Sequence, residues 1–240
     1  MTHEQPDLPR RAWTITLFLL AALGASKTLG HIPLLGTLAF TLIAVGELYI
    51  PIARCDAQDK SIKILGLHTS TWRKDMWILL AMIVITFPLY AAGFHFTVTK
   101  LHLWLPWVPH WEINSRMLSE NFVWSAFLFH ATERTFNHIL GVALPEETFF
   151  RGYLQSSVDN NPRWHIAGAH MGLGAITACA AFALGHFMGE WNPLRLLPFF
   201  PGLLFAWLRA KTGSLIAPIG YHAACNLLGE LLASMYHPYA

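Results

Sequence analysis

Polar residues interrupt three apolar runs in the second half of the chain. The first is in PEETFFRGYLQ, where Glu146 and Glu147 stand just before Arg151. Hydrocarbon strongly penalises ionised side chains, so carboxylates at membrane depth usually have a chemical role or a charged partner. Glu147 and Arg151 are four residues apart and share a helix face, so we expect them to form an ion pair.

Glu146 is the carboxylate that this pairing leaves over. It lies about 100° from Glu147 around a helix axis, with Phe149, Phe150 and Tyr153 along its side. A carboxylate in an apolar pocket is suited to act as a general base near neutral pH. Pro145 precedes it and removes one backbone hydrogen bond, which predicts a local opening of the helix to water.

The other two pairs come from later apolar runs. Phe182 and His186 are four residues apart in AFALGHFMGE, and His222 and Asn226 have the same spacing in YHAACNLLGE. Each pair shares one helix face. With Glu146 they supply a base, two imidazoles and an amide from three helices. This inventory suits hydrolysis, in which a carboxylate and an imidazole activate water and hydrogen-bond donors stabilise the oxyanion.

Each polar feature taken alone also has a structural interpretation. A single membrane histidine commonly links helices by hydrogen bonds, and Glu147 with Arg151 can be a purely structural ion pair. Because three such pairs occur on three helices, a catalytic site is favoured over a purely structural role in helix packing. Other polar residues in the apolar regions are weaker candidates: Glu47 as a site neighbour or a helix link, His130, Arg134 and His138 as a solvated or headgroup-facing stripe, and Glu190 and Glu230 as neighbours of the site or span ends.

The composition predicts an all-α, polytopic membrane protein. The chain of 240 residues is 54% hydrophobic and only 12% charged, with a mean hydropathy of +0.41. A soluble domain of this length carries about twice that charged fraction. The net charge of +2 gives no indication of nucleic-acid binding, and three widely spaced cysteines suggest neither disulfides nor a metal site. We expect a single integral membrane domain over residues 1–240.

The apolar runs predict seven spans and an eighth candidate. Residues 1–134 would hold the N-terminal spans and an interfacial segment, and residues 135–236 the catalytic core helices. The pattern of residues 121–134 predicts an amphipathic helix, which either inserts halfway into the membrane or crosses it fully. The seven runs, each near the roughly 20 residues that a bilayer requires, are 12–29, 32–53, 76–95, 135–157, 166–189, 194–210 and 214–236.

Lysine and arginine are distributed unevenly between the predicted loops. They concentrate in residues 1–11, 54–75, 158–165 and 209–213, which seven spans place on one side. Because cytoplasmic loops are enriched in these residues, the N-terminus is predicted to be cytoplasmic. Seven spans then put the C-terminus on the other side, and a full crossing by the amphipathic helix would reverse that result.

The ordered motifs resemble those of one known family. EETFFR, FALGH and HAACN match in order and spacing the EExxxR, FxxxH and HxxxN motifs of the glutamic intramembrane proteases. This is the CAAX-protease and bacteriocin-processing (CPBP) family, which includes the type II CAAX prenyl endopeptidase. The similarity spans about 135–235. PEETFFRGYLQ and the run from Phe199 to Asn226 are most similar to bacterial members of the myxosortase type, which process C-terminal sorting segments of exported proteins.

The resemblance implies a fold and a role for each motif residue. The fold would be a bundle of about eight helices around a cavity open to the membrane and the cytosol. Glu146 with His186 would activate water, and His222 with Asn226 would form the oxyanion hole. The remaining motif residues, Glu147, Arg151 and Phe182, would be supporting. No cofactor and no metal would be needed.

The expected substrate is a protein or peptide with a hydrophobic C-terminal segment, with or without a lipid. We expect an integral protein of the bacterial cytoplasmic membrane, in contact with membrane lipid. Three alternatives remain open: a zinc protease, a cysteine protease built on Cys225 and His222, and a non-catalytic scaffold or immunity protein that keeps the fold. A proton-relaying transporter is a weaker variant of the last, since no paired broken helices or inverted repeat is evident.

Overall fold

The described part of the chain forms seven helices. The computed structural model describes residues 5–29, 33–106, 108, 110–113, 131–159 and 164–238. Two short antiparallel ribbons accompany the helices: β1 (Trp111–Ile113) pairs with β4 (Tyr236–Pro238), and β2 (Trp164–Ile166) pairs with β3 (Ala169–Met171). The helices are α1 (Pro9–Leu29), α2 (Pro33–Asp56), α3 (Trp72–Thr99), α4 (131–158), α5 (Leu173–Glu190), α6 (Phe199–Thr212) and α7 (Ile216–Ser234).

Successive helices run in opposite directions, as contacts at one end of the bundle demonstrate. Arg54 near the end of α2 binds Asp7 before the start of α1, at 2.7 Å. Arg209 near the end of α6 donates to the carbonyl of Ile64, before α3, at 2.9 Å. We call this the basic end; it comprises residues 5–11, 54–75, 156–159, 164–172 and 209–215.

Contacts at the other end of the bundle also show that successive helices run in opposite directions. Arg134 in the first turns of α4 contacts Glu230 near the end of α7, with 2.7 Å between Nη1 and Oε2. His95 near the end of α3 bonds the Tyr236 hydroxyl at 2.8 Å. Residues 99–106, 131–138, 190–198 and 230–236 lie there, and we call it the opposite end.

Apolar side chains cover the outside of the bundle. Phe18, Trp77, Val84 and Leu89 are each more than 70% exposed, which suits a lipid environment and would be costly in water. Three described helices, over Leu34–Asp56, Trp72–Thr99 and Leu173–Glu190, are long and apolar enough to cross a membrane. The predicted class, an all-α helical membrane protein, is confirmed.

Two predicted spans begin later than the sequence suggested. The run 166–189 opens with the β2–β3 ribbon, whose turn places Gly168 at φ +77°, and α5 starts at Leu173. The run 194–210 opens with a 3₁₀ turn over Pro193–Leu196, and α6 has only 14 residues. At about 1.5 Å per residue α6 is roughly 21 Å long, short of a bilayer core. Pro193 and Pro198 lack the backbone N–H that a continuous helix uses.

Helix α4 carries the paired glutamates and is wide over much of its length. It is π-helical over Asn137–Ala143, α-helical over Leu144–Glu147, and π-helical again over Thr148–Gln155. Pro145 cannot donate to the preceding turn, yet the helix continues through it. Wide turns of this kind concentrate at functional sites, because they redirect side chains relative to a regular helix. The expected amphipathic helix 121–134 falls outside the described residues except for its helical end, 131–134.

Candidate functional site

Helix α4 turns its two glutamates to different surroundings. The Glu147 side chain is fully buried, and its Oε1 accepts a hydrogen bond from Arg151 Nη1 at 2.9 Å. The Glu146 side chain is 16% exposed and forms part of a cavity wall. The Glu147–Arg151 pair predicted from the four-residue spacing is therefore present, and Glu146 is the carboxylate that a substrate could reach.

Arg151 occupies a cage built by three helices. Its guanidinium lies 4.4 Å from the ring centroid of Phe182 in α5 and 4.9 Å from that of Phe205 in α6, distances at which a cation is attracted to an aromatic face. Nη2 also approaches the carbonyl oxygen of Gly202 at 3.4 Å. These contacts stabilise a charge that would otherwise be costly to bury.

His222 on α7 connects the two glutamates. Its Nδ1 lies 2.8 Å from Glu147 Oε1, and its Nε2 lies 3.6 Å from Glu146 Oε2. The ring stacks on Phe205 with 4.9 Å between centroids and an interplanar angle of 16°. Since a carboxylate only accepts, Nδ1 carries a hydrogen and Nε2 is directed toward Glu146.

His186 on α5 is oriented by its own helix. Its Nδ1 lies 3.0 Å from the carbonyl oxygen of Phe182, and the two rings meet edge to face at 4.5 Å. A carbonyl oxygen only accepts, so Nδ1 carries the hydrogen of the neutral imidazole. Nε2 then has a lone pair available to accept a hydrogen from water. This tautomer suits a residue that holds a water molecule against Glu146.

A cavity of about 480 Å³ lies over these residues. Of the predicted site, Glu146, Phe182, His186 and Asn226 line it, whereas Glu147, Arg151 and His222 adjoin these residues without being part of the described lining. Helices α1 and α2 complete the enclosure, so the N-terminal half contributes to the candidate site. The further lining residues are Leu23, Ser26, Phe40, Ile43, Ala44, Glu47, His138, Gly141, Val142, Phe150, Gly185, Gly189, Glu190 and Arg195.

The weaker sequence candidates have distinct positions. Glu47 is 5% exposed and faces the cavity from α2, so it is a neighbour of the site. His138 also lines the cavity, with Nε2 3.2 Å from Glu230, and the predicted solvated stripe is wrong for this residue because α4 turns it inward. Glu190 pairs with Arg195 at 2.8 Å on the cavity wall. His130 lies outside the described residues.

Sequence reasoning missed two structural elements of the site. One is Phe205, which contacts both Arg151 and His222. Its only sequence signal is an aromatic residue three positions after Gly202 in an apolar run. The other is the hydrogen bond from the Tyr153 hydroxyl to Asp7, at 2.8 Å between residues 146 positions apart. No local spacing could indicate that contact.

The metal-ligating and thiol side chains of the described residues bear on the zinc and cysteine-protease alternatives. Among these residues, no group of three or more His, Cys, Asp or Glu side chains is arranged to hold a metal ion. Cys225 packs against the apolar core cluster that contains Phe149 and Tyr221. The described cavity wall contains no cysteine. The cavity therefore presents carboxylate, imidazole and amide groups to a ligand.

Comparison with known proteins supports the resemblance inferred from the three motifs. Residues 134–228 match the family model described as Rce1-like: Type II CAAX prenyl endopeptidase Rce1-like. No curated protein and no solved structure matches the chain. The matched segment contains α4, α5, α6 and most of α7, and hence all seven predicted site residues. The described helices are thus those of an integral membrane protein, and its residues 134–228 are similar to the Rce1-like type II CAAX prenyl endopeptidases.

Proposed function

We propose that the protein is a glutamate-dependent intramembrane endopeptidase. Its substrate would be a protein whose C-terminal segment is hydrophobic or lipid-modified, cut near that segment. The observation that carries this proposal is the common cavity of Glu146, His186 and Asn226. Glu146 Oε2 there is buried and has no hydrogen-bond partner among the described residues. The Glu146 side chain as a whole is 16% exposed at the cavity wall, where a carboxylate can bind and deprotonate a water molecule.

The first step places a water molecule between two side chains. His186 Nε2 accepts one hydrogen of the water, and Glu146 accepts the other and removes it as the oxygen attacks the scissile carbonyl. The new C–O bond converts the carbonyl into a tetrahedral oxyanion. Glu146 and His186 are thus the water-activating pair.

The second step requires hydrogen-bond donors and a leaving-group proton. The Asn226 amide donates to the oxyanion, and His222 does so from Nε2 when both ring nitrogens carry hydrogens. Glu147, bound to Nδ1, fixes the orientation of the ring so that Nε2 is directed toward Glu146. The proton held by Glu146 passes to the peptide nitrogen, the C–N bond breaks, and a carboxylic acid and an amine are released. Glu147 and Arg151 act as positioning residues, and Phe182 supports both rings.

The apolar residues that line the cavity around Glu146 favour a hydrophobic substrate segment. Phe40, Phe150 and Phe182 line the cavity beside Leu23 and Val142. Apolar and aromatic linings with a few polar groups are typical of sites for largely hydrophobic ligands. No cofactor is part of the proposed mechanism, and every step uses side chains of this chain with one water molecule.

The test maps the C-terminal ends of membrane proteins by mass spectrometry. Cells carrying the wild-type chain are compared with cells carrying Glu146→Gln or Cys225→Ala. We expect a set of proteins to keep an uncleaved hydrophobic tail in Glu146→Gln only. The Cys225→Ala variant is the matched control, because it removes the thiol of the cysteine-protease alternative and leaves the carboxylate.

Two results would contradict the proposal. If the Glu146→Gln map agrees with wild type while the variant protein is present at normal levels, a non-catalytic scaffold becomes the better interpretation. If Cys225→Ala abolishes cleavage at normal protein levels, the nucleophile is the thiol.

A further inference from the structure

One face of α2 lines the cavity opposite the paired glutamates. Its wall residues recur at the spacing of a single helix face and are Phe40, Ile43, Ala44 and Glu47. The exposed fraction falls along this face, from 55% at Phe40 to 8% at Ile43 and 5% at Glu47. Helix α2 packs against the part of α4 over Leu144–Glu147. The buried end of the face therefore brings a further carboxyl group, that of Glu47, to the part of the cavity that contains Glu146.

Glu47 differs from the other polar groups of the cavity wall in its bonding. Among the described residues, no hydrogen bond or ion pair involves its carboxyl group. The remaining polar wall residues outside the three motifs each have a partner: Ser26 with the Leu23 carbonyl, His138 with Glu230, and Glu190 with Arg195. The Glu47 carboxyl is thus available to a molecule in the cavity.

The two cavity carboxyls have different neighbours. Glu47 and Glu146 are near enough for their charges to repel each other. Two carboxylates in one buried apolar site disfavour each other, so such a pair retains a proton. His222 Nε2 lies 3.6 Å from Glu146 Oε2 and can carry a hydrogen toward it, whereas no described cation acts on Glu47. The negative charge is therefore favoured on Glu146 and the retained proton on Glu47.

We propose that Glu47 is a further catalytic residue, through which the proton taken by Glu146 reaches the leaving amine. Glu47 donates its own proton to the peptide nitrogen as the C–N bond breaks. The resulting Glu47 carboxylate then takes the proton that Glu146 removed from water, and both side chains return to their starting forms. This inference rests on the proposed function. It adds a residue of α2, which lies outside the matched segment 134–228.

The position of the proton can be tested without catalysis. Dicyclohexylcarbodiimide is an apolar reagent that adds to carboxyl groups carrying a proton. Purified protein in detergent is treated with it at neutral pH, and the modified peptides are mapped by mass spectrometry. We expect an adduct on Glu47 and none on Glu147, which Arg151 and His222 hold by hydrogen bonds. An adduct on Glu146 with Glu47 unmodified would overturn the proposal, as would the absence of an adduct on both.

The donation step is tested by changing the leaving group. A peptide with a tail sequence identified by C-terminal mapping is prepared with either an amide or an ester at the scissile bond. An alkoxide leaves far more readily without an added proton than an amine does, so only amide cleavage depends strongly on a general acid. We expect Glu47→Gln to lower kcat for the amide by roughly 100-fold or more, with a much smaller loss for the ester and little change in KM. Glu47→Asp, which keeps an acid, should restore part of the amide cleavage.

Glu190→Gln is the matched control, because it removes another carboxyl group of the cavity wall. It should change amide and ester cleavage by the same factor. Equal losses for amide and ester in Glu47→Gln would indicate a structural role and overturn the proposal. Glu146→Gln should abolish the cleavage of both peptides. If it does not, the proposed function itself fails, and this result is distinct from a failure confined to Glu47→Gln.

Discussion

Glu147 Oε1 accepts from His222 Nδ1 at 2.8 Å, joining two residues that are 75 positions apart. The same oxygen accepts from Arg151 Nη1 at 2.9 Å. One carboxylate therefore fixes both the buried cation and the imidazole that faces Glu146. The four-residue spacing in EETFFR accounts for the bond to Arg151 only, and the bond to His222 is what connects Glu147 to the proposed chemistry.

Replacing Glu147 should separate its structural role from its positioning role. Glu147→Ala leaves Arg151 buried without a carboxylate, a loss of roughly 3–5 kcal/mol for a buried pair. Glu147→Gln keeps an acceptor oxygen for His222 but removes the charge. We expect the alanine variant to have a clearly lower Tm in detergent and no cleavage. The glutamine variant should fold, with kcat falling much more than KM rises.

The matched comparison for Glu147 is Glu146→Gln, which should keep the wild-type Tm and lose cleavage. A Glu147→Ala variant with wild-type Tm and activity would contradict the role assigned to this carboxylate. Equal changes in kcat and KM for Glu147→Gln would argue against positioning of His222.

Gly202 allows α6 to approach Arg151. An added Cβ would lie 3.1 Å from Arg151 Nη2 and 3.4 Å from Cys179 Sγ. Arg151 has little freedom to move, because Glu147 and two aromatic rings hold it. We therefore expect Gly202→Ala to lower the free energy of unfolding by about 1–3 kcal/mol, measured as a lower Tm, together with reduced cleavage.

Gly93→Ala is the control for this change, since an added Cβ in α3 meets no atom within 4 Å. It should leave Tm unchanged or slightly raised, as alanine favours helix over glycine. If Gly202→Ala behaves like Gly93→Ala, the close approach of α6 to Arg151 is not important for stability.

Asp7 should make stability depend on pH at the basic end. Burial alone favours its protonated form, but hydrogen bonds from Arg54, the Leu8 backbone N–H and Tyr153 hold the pKa of Asp7 below its ordinary value of 3.8. A lowered folded-state pKa adds stability above the unfolded-state value and loses it as the pH falls through the folded-state value. The contribution is thus complete near pH 7 and declines below about pH 4.

Asp7→Asn tests this dependence by thermal unfolding in detergent from pH 3 to pH 7. We expect the variant to be less stable at pH 7 by roughly 1.5–3 kcal/mol, the usual contribution of hydrogen bonds to a charged group. The difference from wild type should shrink below about pH 4. Asp59→Asn, which removes a carboxylate at an exposed position of the same end, is the control and should leave the stability at pH 7 close to that of wild type. A constant deficit for Asp7→Asn would contradict the titration.

Metal removal tests the zinc alternative. A catalytic zinc normally has three protein ligands and a water molecule, whereas the proposed mechanism uses only Glu146, His186, His222 and Asn226. We expect purified protein to contain zinc well below one ion per chain, and cleavage to survive a chelator. Stoichiometric zinc that is lost together with activity, and that restores activity when added back, would replace the glutamate mechanism.

The amino-acid sequence by itself determined the features that depend on short spacings and on hydropathy. Apolar runs predicted seven helices of a membrane protein, because a helix that spans hydrocarbon needs a continuous apolar segment. The four-residue spacing predicted the bond between Glu147 and Arg151, because such residues share one turn of the same helix. The starts of α5 and α6 escaped prediction, since hydropathy alone does not distinguish a ribbon or a 3₁₀ turn from helix.

Only the tertiary structure decided how residues from distant segments meet. Packing of α7 against α4 placed His222 between Glu146 and Glu147. Packing of α2 beside α4 brought Glu47 to the cavity wall. The position of the cavity likewise depends on which turns of several helices face one another. Such contacts between distant segments are set by the packing of whole helices, and no local pattern in the sequence records them.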